Sequence, residues 1–281
     1  MTLAHGEIRS GTAIDELAAR YPVTPDDRRR FARDGHVLLR GVLEPDSAGQ
    51  WLLPIGQAVQ RLNDEKRPLG ERDTYGQAFL QTMNLWVKDA AVRRFSLARR
   101  FAEVAAALMG VSAVRMYHDQ ALFKEPGGGI TPWHQDHYYW PLDTDHTITM
   151  WMPLADVTSE MGIMRFASGS HREGIIEALP IGDRSEAHLS RHVELRGFAV
   201  EGPSAMRAGD ATFHSGWTLH RAPPNETDKL RPVMTVIYFA DGARVEEPDP
   251  TRNAGDLKAW LPGLKAGDIA ATELNPVLYR R

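Results

Sequence analysis

His134-Gln135-Asp136 places an imidazole and a carboxylate two positions apart. On a β-strand, residues i and i+2 project from one face, so both side chains can reach adjacent corners of one metal ion. Nitrogen and carboxylate oxygen suit a non-haem Fe(II) centre. With one further histidine they make a facial triad that leaves positions free for substrate and O2. A buried histidine satisfied by hydrogen bonds is the plain alternative. A second stretch, Gly209 to Asn225, carries His214 and His220. A turn, an apolar run and a Pro-Pro-Asn turn surround them, and spacing alone does not choose between the two.

Arg231 follows His220 by eleven positions and opens the apolar run that ends at Ala240. A guanidinium entering a core strand needs an anionic partner, because an unpaired buried charge is costly. It binds a carboxylate bidentately. A surface ion pair at the strand's end is the competing reading.

These residues need a scaffold. Thr24-Pro25-Asp26-Asp27 is a helix start, with a capping hydroxyl, a proline and then acids at the positive end. That helix runs to Arg33 and Gly35 ends it. Pro45–Leu62 and Ala90–Leu108 read as two more helices. From Val111 on, β-branched and aromatic runs alternate with turn residues: Ala113–Phe123, Trp133–Tyr139, Thr147–Leu154, Met161–Phe166, Val193–Val200, Ser204–Arg207, Ala211–His214 and Val233–Phe239. Helices first and strands afterwards predict an α+β fold, with a jelly-roll core flanked by helices. One domain spans 1–281. It comprises an N-terminal arm or lid (1–22), a mainly helical flank (23–110), the core (111–240) with a helical or irregular insertion (171–192), and a C-terminal extension of little pattern (241–281).

The 281 residues carry a net charge of −4, which gathers neither nucleic acid nor anionic membrane. No apolar run reaches the ~20 residues of a membrane span, and residues 1–11 lack the apolar core of a signal peptide. The expected location is cytoplasmic. With no cysteine, thiolate zinc sites, iron–sulfur clusters and disulfides are excluded. Any metal must therefore use His, Asp, Glu or backbone oxygen.

Several pieces together resemble the phytanoyl-CoA dioxygenase (PhyH) family, which includes ectoine hydroxylase and bacterial natural-product oxygenases. They are Phe31-Ala32-Arg33-Asp34-Gly35-His36-Val37, Lys124-Glu125-Pro126-Gly127, Thr131-Pro132-Trp133-His134-Gln135-Asp136 and Gly169-Ser170-His171-Arg172. Gly209-Asp210, Phe213-His214, His220, Asn225 and Arg231 then follow in order. The likeness covers roughly Phe31 to Ala240. It implies a double-stranded β-helix, Fe(II), 2-oxoglutarate as cosubstrate, and O2.

Carried over by position, the resemblance makes His134, Asp136 and His220 the ligands, and Arg231 the clamp on the far carboxylate of 2-oxoglutarate. Trp151 and Met116 match positions that line the cosubstrate. Gln120 shares a strand face with Met116 and His118 by alternation, and so is a candidate for a polar contact. Family members usually have a serine where this chain has Ala222; Thr147 or Thr149 is the expected substitute. Substrate-lining candidates are Gln81, Asn84, Tyr138, His118, His214 and Trp217, with core packing as the alternative for the aromatics. The carboxylate of Asp136 leaves no ligand position for chloride, which disfavours halogenation.

The expected reaction is hydroxylation of a medium-sized small molecule of secondary metabolism, with epimerisation, desaturation or ring closure as other outcomes. An acyl-CoA or ectoine-like solute is the alternative substrate. A non-catalytic jelly-roll binding protein and a zinc hydrolase are the alternatives of other classes. The protein is expected to be a monomer or homodimer.

Overall fold

The computed structural model describes residues 13–281, so residues 1–12 of the expected arm lie outside the described part. Short helix α1 (Ala13–Ala18) precedes α2 (Pro25–Asp34). Thr24 and Asp27 form a reciprocal capping box at the start of α2. Gly35 closes it with φ 78°, and a Cβ there would lie 2.4 Å from Nδ1 of His171, so only glycine fits. Then come β1 (His36–Leu39), α3 (Pro45–Leu62), α4 (Thr74–Ala78) and β2 (Leu80–Met83). Helices α5 (Leu85–Lys88), α6 (Ala90–Ser96) and α7 (Arg99–Met109) follow. The single helix expected over Ala90–Leu108 is thus two. Ala98 is extended, and Ser96 at the end of α6 donates to Asp119 of the neighbouring strand.

The remaining strands are β3 (Ala113–Phe123), β4 (Thr131–His134), β5 (Thr147–Pro153), β6 (Val157–Thr158), β7 (Arg165–Ala167), β8 (Val200–Glu201), β9 (Ala205–Met206), β10 (Ala211–Ser215), β11 (His220–Ala222), β12 (Val233–Ala240) and β13 (Val277–Arg280). They interleave with helices α8 (Asp183–Arg196) and α9 (Ala254–Trp260). The large sheet runs β1-β10-β5-β12-β3-β13, with β2 also on β3, and the small one runs β4-β11-β7-β8. All pairs are antiparallel. This is the expected double-sheet α+β architecture. One face of the large sheet packs on the N-terminal helices through Trp51, Phe95, Phe101, Met150 and Phe213. The opposite face looks into the space between the sheets.

Other sequence expectations change as well. Of Val193–Val200 only Val200 is strand, opening β8; Val193 to Arg196 is the end of α8 and Gly197 its turn, because Leu189 and Val193 lie one helical turn apart and pack with Trp133 and Leu219. The C-terminal extension is ordered: β13 adds a strand to β3, and α9 packs beside Tyr117 and Trp140. Among the described residues, no helix is long and apolar enough to cross a membrane.

Candidate metal centre and its two chambers

Strands β4 and β11 are antiparallel, with His220 directly opposite His134. Their imidazole centroids lie 4.0 Å apart. Strand β4 ends at His134, but Gln135 stays extended, so Asp136 emerges on the same side as the first residue of a 3-10 turn. Oδ1 of Asp136 lies 3.5 Å from Nε2 of His134 and 3.5 Å from Nε2 of His220. One donor atom from each of the three lies within 4.8 Å of the others. Donors on adjacent corners of an ion with ~2.1 Å bonds sit roughly 3–3.5 Å apart, so the set fits one metal ion.

The hydrogen bonds settle which nitrogen is available. Nδ1 of His134 lies 2.7 Å from the carbonyl of Pro132, and Nδ1 of His220 lies 2.9 Å from that of Thr218. A carbonyl only accepts, so both Nδ1 atoms carry the proton and both Nε2 lone pairs face Asp136. The carboxylate divides its work. Oδ1 faces the imidazoles, while Oδ2 accepts from Thr149 Oγ1 at 2.9 Å and from His214 Nε2 at 3.2 Å. Burial raises the Asp136 pKa, but the imidazoles of His220, His134 and His214 outweigh it and hold the carboxyl well below its usual range. Burial and the nearby His134 push His220 down, which keeps it a neutral ligand.

Two chambers that share Tyr75, Gln120, His134 and Asp136 as lining flank this cluster. The inner one, about 50 Å³, is walled by Arg231, Trp151, Thr149, Gln120, Thr131 and Thr235. Arg231 is 1% exposed and is fixed by mutual backbone hydrogen bonds with Lys124. Its Nη1 donates to the carbonyl of Gly162 and its guanidinium stands 5.3 Å above the Trp151 ring. Gly162 has φ +78°, and a Cβ there would lie 2.4 Å from the carbonyl of Pro223, so the close approach requires glycine. Nε of Arg231 has no partner, and no carboxylate pairs with it among the described residues. Burial lowers Arg231 to about 9, so it is still a cation at neutral pH. An orphaned buried cation beside a metal donor set is a seat for a dianionic cosubstrate such as 2-oxoglutarate.

Ala222 pairs across the sheet with Thr131. The Thr131 hydroxyl is buried without a partner and borders the same chamber. It stands where a missing serine hydroxyl would be replaced. Of the expected substitutes, Thr147 contacts Nδ1 of His137 instead, and Thr149 is committed to Asp136. Only the strand register reveals Thr131; its place in Thr-Pro-Trp-His was the available signal.

The outer chamber, about 210 Å³, is walled by Gln81, Met83, His118, Tyr75, Tyr139, Trp140 and Asp256, and touches His134 and Asp136. Gln120 borders both chambers and accepts from Gln81 at 2.6 Å. Of the expected substrate residues, Gln81 and His118 stand here, whereas His214 lies in the inner chamber behind Asp136.

Four expected residues do not reach either chamber. Met116 is in the core behind the sheet, paired with Tyr238. Strand β3 carries one extra residue between Met116 and Asp119, and such a bulge reverses the alternation, turning His118 and Gln120 inward and Met116 outward. Tyr138 lies in the 3-10 turn, where strand alternation no longer holds, and its neighbour Tyr139 takes the wall. Asn84 is a left-handed helix cap that accepts from the Trp86 indole. Trp217 stacks on His137 and donates to Asp145. Sequence reasoning missed Asp256, Tyr75, Tyr139 and Trp140 as wall residues.

Jelly-roll sheets, a His-Asp-His donor set and a buried cation beside it define the class of non-haem iron, 2-oxoglutarate-dependent oxygenases. Within it the chain belongs to the phytanoyl-CoA dioxygenase (PhyH) family, whose pattern matches residues 31–233. The methylphosphonate hydroxylase of Gimesia maris is 29% identical over 160 residues, 56% of this chain and 58% of that protein. L-proline trans-4-hydroxylase of Streptomyces griseoviridis is 26% identical over 247 residues, 76% of this chain and 85% of that protein. The chain spans about half the length of the curated relatives it first matches, 58% in one case and 46% in another. The epimerase SnoN from nogalamycin biosynthesis, solved with Fe3+, alpha ketoglutarate and nogalamycin RO, superposes with a TM-score of 0.71 at 27% identity, over 90% of this chain and 97% of that one. The carbocyclase SnoK shares the fold with a TM-score of 0.75 at 24% identity, over 91% and 96% of the two chains.

Proposed function

We propose that this chain oxidises a medium-sized small molecule at the expense of 2-oxoglutarate and O2, with Fe(II) held by His134, Asp136 and His220. The unpaired guanidinium of Arg231 in the same cavity as the donor set carries this reading. A zinc hydrolase or a binding module needs no dianionic cosubstrate, so in either the charge would have to meet an anionic substrate or ligand instead.

Fe(II), when bound, supplies the redox chemistry that activates O2 with 2-oxoglutarate as electron donor. The chain's residues do the positioning. Nε2 of each imidazole and Oδ1 of Asp136 present a fixed donor face, held from behind by Pro132, Thr218, Thr149 and His214. Arg231 takes the far carboxylate of the cosubstrate at the closed end of the inner chamber, and Thr131 donates its free hydroxyl there. The apolar walls of Trp151, Leu122 and Met164 keep water out. Substrate occupies the outer chamber, with its reacting carbon near His134 and Asp136.

The mixed lining of Gln81, Met83, Tyr139 and Trp140 suits a ring-sized metabolite. The likeness to tailoring enzymes of nogalamycin biosynthesis supports a secondary metabolite as substrate. Anaerobic addition of 2-oxoglutarate to the Fe(II)-loaded protein tests the centre: a metal-to-ligand charge-transfer band is expected, and its absence sinks the reading. Succinate release then screens substrates. Stimulation by ectoine or an acyl-CoA, but not by polycyclic or glycosylated natural products, would move the substrate class to a compatible solute or thioester.

A further inference from the structure

The outer chamber contains a carboxylate that no cation among the described residues neutralises. Asp256, in the first turn of α9, lines the same cavity as His134 and Asp136. Its Oδ2 accepts from the neutral hydroxyl of Tyr117 at 3.2 Å. Among the described residues, no lysine, arginine or histidine forms an ion pair with it, although other acids on the same extension have one, such as Glu246 with Arg252.

The other groups facing the chamber add no positive charge. Burial pushes His118 down to about 4, so its imidazole is neutral; its Nδ1 has no partner. Burial also raises Tyr75 and Tyr139, so both remain phenols. What surrounds Asp256 is aromatic: Tyr75, Tyr139 and Trp140 on the cavity wall, and Trp260, whose ring lies tilted 5.0 Å from that of His118. Burial lifts Asp256 to about 6, yet above that pH it is still an anion. A partly buried, unpaired carboxylate costs stability, and an aromatic wall attracts cations through ring quadrupoles. Carboxylate and rings together select an alkylammonium, which stays protonated near neutral pH.

We infer that the substrate carries an amine, whose ammonium group pairs with Asp256 against the rings of Tyr75, Tyr139 and Trp140 while the carbon to be oxidised lies toward His134 and Asp136. This rests on the oxygenase reading in one respect, that the outer chamber is the substrate's. The pairing is ionic and no bond is made or broken at Asp256.

The test is calorimetric titration of the full chain at pH 7.5 with cyclohexylmethylamine and with its neutral counterpart cyclohexylmethanol. It is run with Fe(II) and 2-oxoglutarate under anaerobic conditions, and again without metal. The amine is expected to bind about tenfold tighter than the alcohol, the size of a partly desolvated ion pair. Asp256→Asn should erase that preference and Asp256→Glu should keep part of it, with thermal melting used to check that both variants are folded. Three results would overturn the inference: equal affinity for amine and alcohol in the unsubstituted chain, no amine binding at millimolar concentration, or an undiminished preference in Asp256→Asn. Failure of the oxygenase reading shows separately, as a missing charge-transfer band, and leaves the metal-free titration standing.

Discussion

The two chambers differ in what builds them. The inner chamber is walled mainly by strands β3, β4, β5, β10, β11 and β12, whose backbone hydrogen bonds fix most of the side chains that face it. The outer chamber borrows its walls from α4, β2, a 3-10 turn, the approach to α8 and α9. The family match ends at residue 233, so it includes Arg231 and excludes Asp256. A chamber of shared strands suits a cosubstrate that does not vary, and a chamber of separate pieces suits a substrate that does. Rigid wall and assembled wall should therefore answer differently to substitution.

The largest expected effect breaks both chambers at once. Asp136→Ala should abolish turnover, by about a thousandfold or more, through loss of the metal; iron content after desalting and succinate release measure it. Near-normal turnover would dismantle the proposed centre. Next, Arg231→Met should raise the 2-oxoglutarate concentration needed for half-maximal rate by about a hundredfold, as expected when one partner of a buried ionic contact is removed. Amine binding in the outer chamber should stay within about twofold if the chambers are independent. A parallel loss of amine affinity would show that they act as one.

His214→Phe should weaken iron affinity by about 10-fold or more, because it removes a group that orients a ligand. An iron titration reads this directly, and unchanged affinity would reduce His214 to packing. Thr131→Val should raise the 2-oxoglutarate requirement by roughly tenfold, the worth of one hydrogen bond to a charged group. No change would leave the space opposite Ala222 unexplained.

The smallest effect concerns stability alone. Asp256 is shifted from 3.8 to about 6 by burial. Below pH 4 the carboxyl is protonated in both the folded and the unfolded chain, and Asp256→Asn is neutral. Above pH 6 both states carry the charge, and the unfolded chain solvates it better. The substitution should then stabilise by about 1–2 kcal/mol after discounting partial exposure, or a few degrees in Tm, and the gain should fade from pH 6 to pH 4. Melting curves at pH 4 and pH 7.5 check this. Destabilisation at pH 7.5 would mean that Asp256 serves the fold rather than a ligand.

The inner chamber was largely legible in the sequence, and the outer one was not. His134 and Asp136 could be named as metal donors from type and spacing, His220 over His214 and the role of Arg231 came only with the family resemblance, and Pro45–Leu62 could be bounded because a proline opens it. Met116 and Tyr138 went astray because strand alternation was extended through a bulge and through a 3-10 turn. Asp256 was invisible for a different reason. The extension after residue 240 is held by contacts with Tyr117 and Trp140, far away in the chain, and no local periodicity announces such contacts. Val193 read as β-branched strand material until its partner one turn back, Leu189, met Trp133 and Leu219.

The extra residue in β3 acts as a frame shift in a two-step code. Pairing with β12 resumes on both sides of it, from Val236–Asp119 in one direction and Tyr238–Met116 in the other. One strand therefore speaks in two phases, and deleting either Tyr117 or His118 would restore plain alternation while leaving Met116 on the core face and Gln120 on the chamber face. The spare residue thus acts as a hinge of grammar: the end of β3 that meets β13 and the end that carries Gln120 each keep their own reading frame against β12.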